Sequence, residues 1–113
     1  DGYARVALTA TERMRADERG LVHGGFVFGL ADHAAMLAVN HPNVVLGRAT
    51  TRFLKPVVVG DRLDAIARLA TEEGPRRRVD VEVLRGESMV FTGEFICYTP
   101  DEHVLARLTG RQE

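Results

Sequence analysis

The segment GLVHGGFVFGLADHAAM, residues 20–36, contains one carboxylate, Asp32, within a largely apolar stretch. In a helix, the residues one turn to either side of this carboxylate are apolar or small, namely Phe28, Gly29, Ala35 and Met36. Burying an isolated, ionised carboxylate is costly, so Asp32 must be hydrogen-bonded, neutralised by a raised pKa, or open to a cleft. In a cleft, it can act as a nucleophile or a general base.

Two glycines, Gly24 and Gly25, stand where the predicted helix begins. Because they lack side chains, a ligand oxygen can approach their backbone N–H groups, and the positive end of the helix dipole favours a developing negative charge there. The stretch therefore places a candidate oxyanion hole beside a carboxylate. The same residues also fit a structural interpretation, in which the glycines make a turn and Asp32 is a satisfied core aspartate or an interface contact.

A predicted helix over residues 25–40 has to position these groups, and the segment NHPN ends it with the stop signals Asn40 and Pro42. The apolar residues of the helix leave no broad polar face: Phe26, Val27, Leu30, Ala34, Leu37 and Val39. At about 1.5 Å per residue, we expect a helix of roughly 20–25 Å that is buried nearly all round. Such a helix needs a layer wrapped around it.

Strands predicted from apolar alternation and β-branched residues supply that layer, at residues 3–8, 44–59, 62–70, 78–85 and 88–99. Pro56 indicates a kink or an unpaired edge near the end of the second strand, and turns are expected at 60–61 and 86–87. The alanines and leucines of 62–70 also allow a helix. The order βαββββ predicts an α+β fold with a curved antiparallel sheet around a central helix.

Composition narrows the class of protein. With 113 residues, 45% hydrophobic and 27% charged, the chain is expected to form a single globular domain over 1–113. The net charge of -1 gives no basic footprint, so we expect no nucleic-acid partner. Asp32 and His33 interrupt the longest apolar run, and no signal peptide is evident, which predicts no membrane association and a cytoplasmic location.

The single cysteine, Cys97, excludes an internal disulfide and is expected to be a small, buried residue in a strand. His41 and His103 have no partners at metal-ligand spacing, and no cluster of cysteines and histidines predicts zinc. We therefore expect no metal site.

Two stretches resemble a known family. GLVHGGFVFGLAD (20–32), with Asp32 nine residues after His23, resembles the signature of hotdog-fold acyl-CoA thioesterases of the PaaI type, in the 4-hydroxybenzoyl-CoA thioesterase superfamily. The stretch TTRFLKPVVVGDRLDAIARL (50–69) is similar to the long strand, turn and following strand of that family. The resemblance extends over residues 3–99 and implies a hotdog fold, in which a curved antiparallel sheet wraps around a long central helix.

The resemblance implies roles for individual residues. The N–H of Gly24 would polarise the thioester carbonyl, and Asp32 would attack that carbonyl or activate the hydrolytic water. His23 would hold the turn rather than take part in the chemistry, and Gly25 would lie beside the substrate. In this family the site lies between two subunits, which implies a homodimer or homotetramer. The resemblance also implies an acyl-CoA substrate and no cofactor apart from the coenzyme A of the substrate.

The chain departs from the family pattern at Asp17. PaaI-like enzymes commonly carry an asparagine six residues before the histidine of His-Gly-Gly, where this chain has Asp17. Two carboxylates at one site would repel each other, raise one pKa and titrate as a pair. Asp17 would then be a second base, a protonated donor in place of the amide, or a sign of lost activity. It also fits a polar surface loop.

Further substrate contacts are expected on two strands. Thr50 and Thr51 lie where the family often places a hydroxyl near the substrate, with an uncertain register. Arg76 and Arg77, with Arg78, form the only basic cluster, at a hairpin where a phosphate of coenzyme A could bind. A solvated turn explains the same cluster. The sequence does not indicate the acyl group, nor whether it is carried by coenzyme A or a carrier protein.

Two other functions remain open. Hotdog domains also serve as non-catalytic acyl-CoA sensors, as in the regulator FapR, and VFTGEFICY (90–98) resembles the last strand of such a domain. FapR-type regulators carry a DNA-binding segment before the hotdog domain; none precedes Tyr3, and the chain begins without methionine, so upstream residues could be missing. Hotdog hydratases use an Asp/His pair that the adjacent Asp32 and His33 do not reproduce, because neighbouring helical residues point about 100° apart.

Overall fold

The computed structural model describes residues 2–102 and Leu105. The elements are β1 (Tyr3–Thr9), a 3-10 turn (Glu12–Met14), α1 (Gly24–Val39), β2 (Val45–Phe53), β3 (Arg62–Glu73), β4 (Arg76–Arg85) and β5 (Ser88–Tyr98). The five strands form one antiparallel sheet in the order β1-β3-β4-β5-β2, and the long helix packs against it. The predicted α+β fold is therefore confirmed, and residues 62–70 lie in a strand as predicted, not in the alternative helix.

The core lies between α1 and one side of the sheet, which we call the inner face. The helix buries small and branched residues there: Val27, Leu30, Ala31, Ala34, Ala35 and Ala38. The sheet contributes fully buried side chains from alternate positions, which include Leu63, Val79, Val81, Val83, Phe91 and Phe95. The period of two seen in the sequence thus becomes one apolar face that supports the helix.

The prediction that α1 is buried nearly all round is wrong for the described chain. Phe26 and Leu37 remain 41% and 48% exposed, and Gly25, Gly29 and His33 are exposed as well. The physical reason is that the sheet of one chain covers only one side of the helix. An apolar stripe of α1 therefore faces away from the sheet.

The second predicted strand is also shorter than expected, since β2 ends at Phe53 and not at residue 59. Beyond it, the N–H groups of Leu54 and Lys55 both donate to the carbonyl of Val90, at 2.8 and 3.3 Å. Pro56 cannot donate, so the ladder does not continue. Residues 57–59 instead bond to residues 20–22, and this contact places the start of α1 beside the end of β2.

No helix in the described part of the chain is long and apolar enough to cross a membrane.

Candidate active site

The first N–H groups of α1 are open to ligands. His23 is the N-cap residue; its backbone N–H donates to the carbonyl of Met14 at 3.0 Å, and its side chain makes no capping hydrogen bond. Among the described residues, nothing accepts a hydrogen bond from the N–H of Gly24 or Gly25, and both glycines are exposed. The positive end of the helix dipole thus carries two unpaired donors.

The side chain of Phe53 lies directly beside Gly24. A Cβ atom added to this glycine would lie 3.2 Å from Cε2 of Phe53, whose ring packs edge-on against Phe91 with centroids 5.1 Å apart. A small cleft of about 200 Å³ opens here. Its walls are mainly apolar, with one cation, and include Leu21, Val22, Val27, Phe53, Leu54, Lys55 and Val57. An apolar wall thus lies next to the free N–H of Gly24.

The carboxylate of Asp32 has no partner within the described residues. Its Oδ1 atom is buried and accepts no hydrogen bond. Burial raises the pKa of Asp32, and the adjacent His33 opposes that rise. Burial, with a further contribution from Asp32, also raises the pKa of the Cys97 thiol to about 11. A satisfied core aspartate would need a partner, so the geometry favours a carboxylate that awaits a ligand or a second chain.

The approach to Asp32 along the helix is unobstructed. Gly25 and Gly29 lie on nearly the same face of α1 as Asp32, because seven residues make almost two turns. A Cβ atom added at Gly25 or Gly29 would meet nothing within 4 Å. Gly29 is not among the predicted site residues, although its spacing of four from Gly25 and three from Asp32 is visible in the sequence.

Gly24 and Asp32 cannot act on one carbonyl from the same helix. They are eight residues apart, which corresponds to about 12 Å along the axis. A thioester carbonyl that contacts the N–H of Gly24 is therefore out of reach of the Asp32 carboxylate of the same chain. If the two groups serve one reaction, they must come from different copies of the chain.

Asp17 makes local contacts. Its Oδ1 atom accepts hydrogen bonds from the N–H groups of Arg19 and Leu21, at 2.9 and 3.0 Å. These bonds close the loop that leads to His23 and Gly24. Within this chain, Asp17 thus acts on the position of the helix start, and its predicted coupling to Asp32 stays a prediction.

The register of β2 separates the two threonines. Thr51 pairs with Gly93, and a Cβ atom on Gly93 would touch Cγ2 of Thr51 and the buried rings of Phe91 and Phe95. Thr51 therefore lies on the inner face, with α1. Thr50 pairs with Glu94 and lies on the opposite side of the sheet, which we call the outer face.

The arginines of the β3–β4 hairpin are paired. Nε of Arg77 lies 3.5 Å from Oε1 of Glu72, and the Arg77 guanidinium also donates to the carbonyls of Gly74 and Arg76. Arg76 lies 3.9 Å from Glu73. A cleft of about 720 Å³ adjoins Arg77, whose Nε and Nη1 atoms already contact Glu72, Gly74 and Arg76.

Comparison with known proteins places these features in context. The family model described as Thioesterase superfamily matches residues 19–92, more than half of the chain, and this range contains Gly24 and Asp32. The crystal structure of the uncharacterized protein PH1136 from Pyrococcus horikoshii is 55% identical, with a TM-score of 0.92 over 93% of this chain and 81% of that chain. The E. coli PaaI protein is 27% identical, with a TM-score of 0.84 over 91% and 76%. The hotdog fold and the PaaI-type resemblance are thereby confirmed.

Two curated relatives carry different names. A methylthioribose-1-phosphate isomerase of Aquifex aeolicus (strain VF5) is 56% identical over 95 residues, which are 84% of this chain and 21% of the isomerase. The transcription factor FapR of Shouchella clausii (strain KSM-K16) is 34% identical over 86 residues, 76% of this chain and 45% of that FapR. The chain thus spans less than half of either relative.

The substitution Asp32→Asn tests the cost of burying this carboxylate. Because burial raises its pKa above the ordinary value of 3.8, the folded chain holds the proton more tightly than the unfolded chain. The free energy of unfolding then falls as the pH rises from the pKa of Asp32 in the unfolded chain to its higher pKa in the folded chain. Asparagine does not titrate, so we expect the variant to be more stable than the parent at pH 7, with a smaller difference near pH 4. Urea unfolding at several pH values measures this.

Asp80→Asn, which removes an exposed carboxylate from the outer face, is the control for the change in net charge. An Asp32→Asn variant that is less stable than the parent at pH 7 would show that the carboxylate makes a stabilising contact.

Proposed function

The chain belongs to the thioesterase superfamily, and on this basis we propose that it hydrolyses an acyl-CoA or a related acyl thioester to the free acid and the thiol. The observation that carries the proposal is the buried Oδ1 of Asp32, which has no hydrogen-bond partner among the described residues. It lies on the helix whose first N–H groups have no acceptor in that same part of the chain. A carboxylate of raised pKa is a stronger base than an ordinary one. The geometry thus supports chemistry by these groups and not a structural role.

In the proposed reaction, the N–H of Gly24 donates to the thioester oxygen and stabilises the negative charge that develops on it. Asp32 acts in one of two ways. As a base, it takes a proton from water, and the water oxygen bonds to the carbonyl carbon. The carbon–sulfur bond then breaks, and the leaving thiolate takes up the proton that Asp32 holds. As a nucleophile, it forms an acyl-aspartyl anhydride with loss of the thiolate, and water then hydrolyses the anhydride.

The proposed site needs two copies of the chain. The separation of about 12 Å between Gly24 and Asp32 along α1 is bridged if the helix start of one copy faces the carboxylate of the other. The edge strand β2 pairs on one side only, with β5, which leaves its other side for a second copy. A homodimer or a tetramer built from dimers satisfies both conditions. No metal or further cofactor enters the proposed reaction.

A second function has support from the FapR match. A hotdog domain that binds an acyl-CoA without hydrolysing it would use the same cleft. The name of the isomerase carries no such weight, because the match covers only 21% of that protein. An assay of free thiol over a panel of acyl-CoA substrates separates hydrolysis from binding alone.

The activity prediction concerns Asp32→Asn, which keeps the shape of the side chain but removes the nucleophile and base. We expect turnover to fall by about 10²–10⁴-fold with little change in KM. Asp17→Asn is the matched control, because the amide oxygen can still accept the bonds from Arg19 and Leu21. It should preserve or increase activity.

Near-normal turnover of Asp32→Asn on its best substrate would contradict the assignment. If the parent and both variants bind acyl-CoA while none releases thiol, the sensor function replaces the enzyme.

The donor at Gly24 can be deleted almost alone. Gly24 is the first residue of α1, where proline is well tolerated, and His23 has the extended backbone (φ −58°, ψ 132°) that proline requires before it. We expect Gly24→Pro to lower kcat by about 10²–10³-fold, the usual effect of losing one oxyanion donor. Gly24→Ala adds a Cβ atom near Phe53 but keeps the N–H, so its activity should stay much closer to the parent. Equal losses of kcat in the two variants would mean that activity falls because the added atoms crowd Phe53, and not because the N–H donor of Gly24 is missing.

Mixing the two inactive variants tests the shared site. In a dimer of one Gly24→Pro chain and one Asp32→Asn chain, one site carries both defects and the other is intact. After unfolding and refolding together at equal amounts, we expect about a quarter of the parental activity, since about half of the dimers are mixed and each has one good site. Each variant refolded alone is the control. No recovery in a mixture shown to contain mixed dimers would contradict a site that is shared between two copies of the chain.

A further inference from the structure

The arginines of the sheet divide into paired and unpaired ones. Every arginine on β1, β3 and β4 lies within 4.0 Å of a carboxylate: Arg5, Arg62, Arg68, Arg76, Arg77, Arg78 and Arg85. The two arginines of β2, Arg48 and Arg52, have no ion pair and no hydrogen bond within the described residues, and both are exposed. Strand β2 itself contains no acidic residue.

Both unpaired arginines lie on the outer face of β2. Arg48 pairs with Ile96 and Arg52 with Thr92, and these positions alternate with the inward-facing Phe95 and Phe91. Thr50 lies between the two arginines on the same face, so three side chains with hydrogen-bond donors follow each other at alternate positions. The Cα atoms of Arg48 and Arg52 are about 13 Å apart along the strand.

One carboxylate lies nearby and is already engaged. Glu94 pairs with Thr50 across the β2–β5 ladder, and its Oε2 atom lies 3.8 Å from Nε of Arg78 on the far side. The outer face of β2 therefore keeps an excess of positive charge. A guanidinium with five free N–H donors matches phosphate geometry well.

The same strand also borders the proposed active site. Phe53, next to Arg52, lies on the inner face beside Gly24, and Lys55 lines the cleft there without an ion pair among the described residues. The unpaired cations thus run from the mouth of the cleft, at Lys55, to Arg52 and Arg48 on the outer face. A ligand with a neutral arm in the cleft and phosphates at its other end fits this arrangement.

The geometry points to the outer face of β2 as the site for the phosphates of coenzyme A, bound by Arg48 and Arg52 with Thr50 between them. This inference rests on the proposed function, and it assigns the nucleotide end of the substrate to residues other than Arg76 and Arg77. The hairpin arginines lie beside Glu72 and Glu73, whose negative charges would repel a phosphate. At β2, no protein partner has to be displaced.

The test compares Arg48→Gln combined with Arg52→Gln against the parent, with titration calorimetry of coenzyme A and of pantetheine, which lacks the phosphates and the nucleotide. We expect affinity for coenzyme A to fall roughly tenfold or more, because two charge-assisted contacts are lost. Pantetheine binding should not change. Added salt should weaken coenzyme A binding to the parent more than to the variant.

Arg5→Gln combined with Arg68→Gln is the matched control, since it removes two outer-face arginines that are paired with Asp64 and Glu82. It should bind coenzyme A as the parent does. The inference is overturned if this control loses as much affinity or if pantetheine binding falls in parallel. It is also overturned if the parent binds no coenzyme A, or if binding is weakened only by Arg76→Gln combined with Arg77→Gln. Sedimentation velocity shows whether the assembly is unchanged.

The outcome is separable from that of the proposed hydrolysis. Suppose that the parent releases no thiol from any acyl-CoA, while substitution of Arg48 and Arg52 abolishes its binding of coenzyme A. This result supports the present inference and refutes the proposed hydrolysis. A parent that hydrolyses acyl-CoA, with a double variant that binds coenzyme A normally, refutes this inference alone.

Discussion

The packing of α1 against the inner face of the sheet is the interaction on which the rest of the structure depends. Four fully buried alanines, Ala31, Ala34, Ala35 and Ala38, bring the helix backbone close to the sheet, and the rings of Phe91 and Phe95 fill the space opposite. Each large side chain buried there contributes roughly 1.5–3 kcal/mol. Because this face of the helix is fixed, the helix start at Gly24 and the carboxylate of Asp32 are held at defined positions over the sheet.

Local signals in the sequence predict much of this arrangement. The alternating valines of residues 78–85 do become inward-facing Val79, Val81 and Val83, and Asn40 ends the helix in a left-handed conformation (φ 52°). The extent of β2 is not predictable in this way, because residues 57–59 favour a strand but bond instead to residues 20–22. The sequence does not reveal the outward stripe of α1 for a similar reason: apolarity alone does not distinguish residues that face the sheet from residues that face away.

The candidate site shows the same division between local and long-range information. The position of Asp32 within an apolar helix is visible in the sequence. That its Oδ1 atom has no hydrogen-bond partner in the described part of the chain depends on the distant strand β5, which places Cys97 near it. The contact between Gly24 and Phe53 likewise joins distant segments. Asp17 is the reverse case. Its hydrogen bonds to Arg19 and Leu21 join neighbours in the sequence and hold a loop, whereas the family pattern predicts a role for this residue in the reaction.

The two faces of α1 follow opposite rules. The face toward the sheet consists mainly of alanine and leucine, which are strong helix formers, and it buries no polar side chain. The face with Gly25, Gly29 and Asp32 combines a glycine in the helix interior, which costs roughly 0.5–1 kcal/mol relative to alanine, with a carboxylate that burial makes harder to ionise. Within the described residues, no packing contact meets the open side of Gly25 or Gly29, and no hydrogen bond reaches Oδ1 of Asp32; only the charge of the adjacent His33 opposes the effect of burial. Unfavourable features that are confined to one face, while the opposite face obeys every packing rule, indicate that selection acts on that face through something it binds and not through folding.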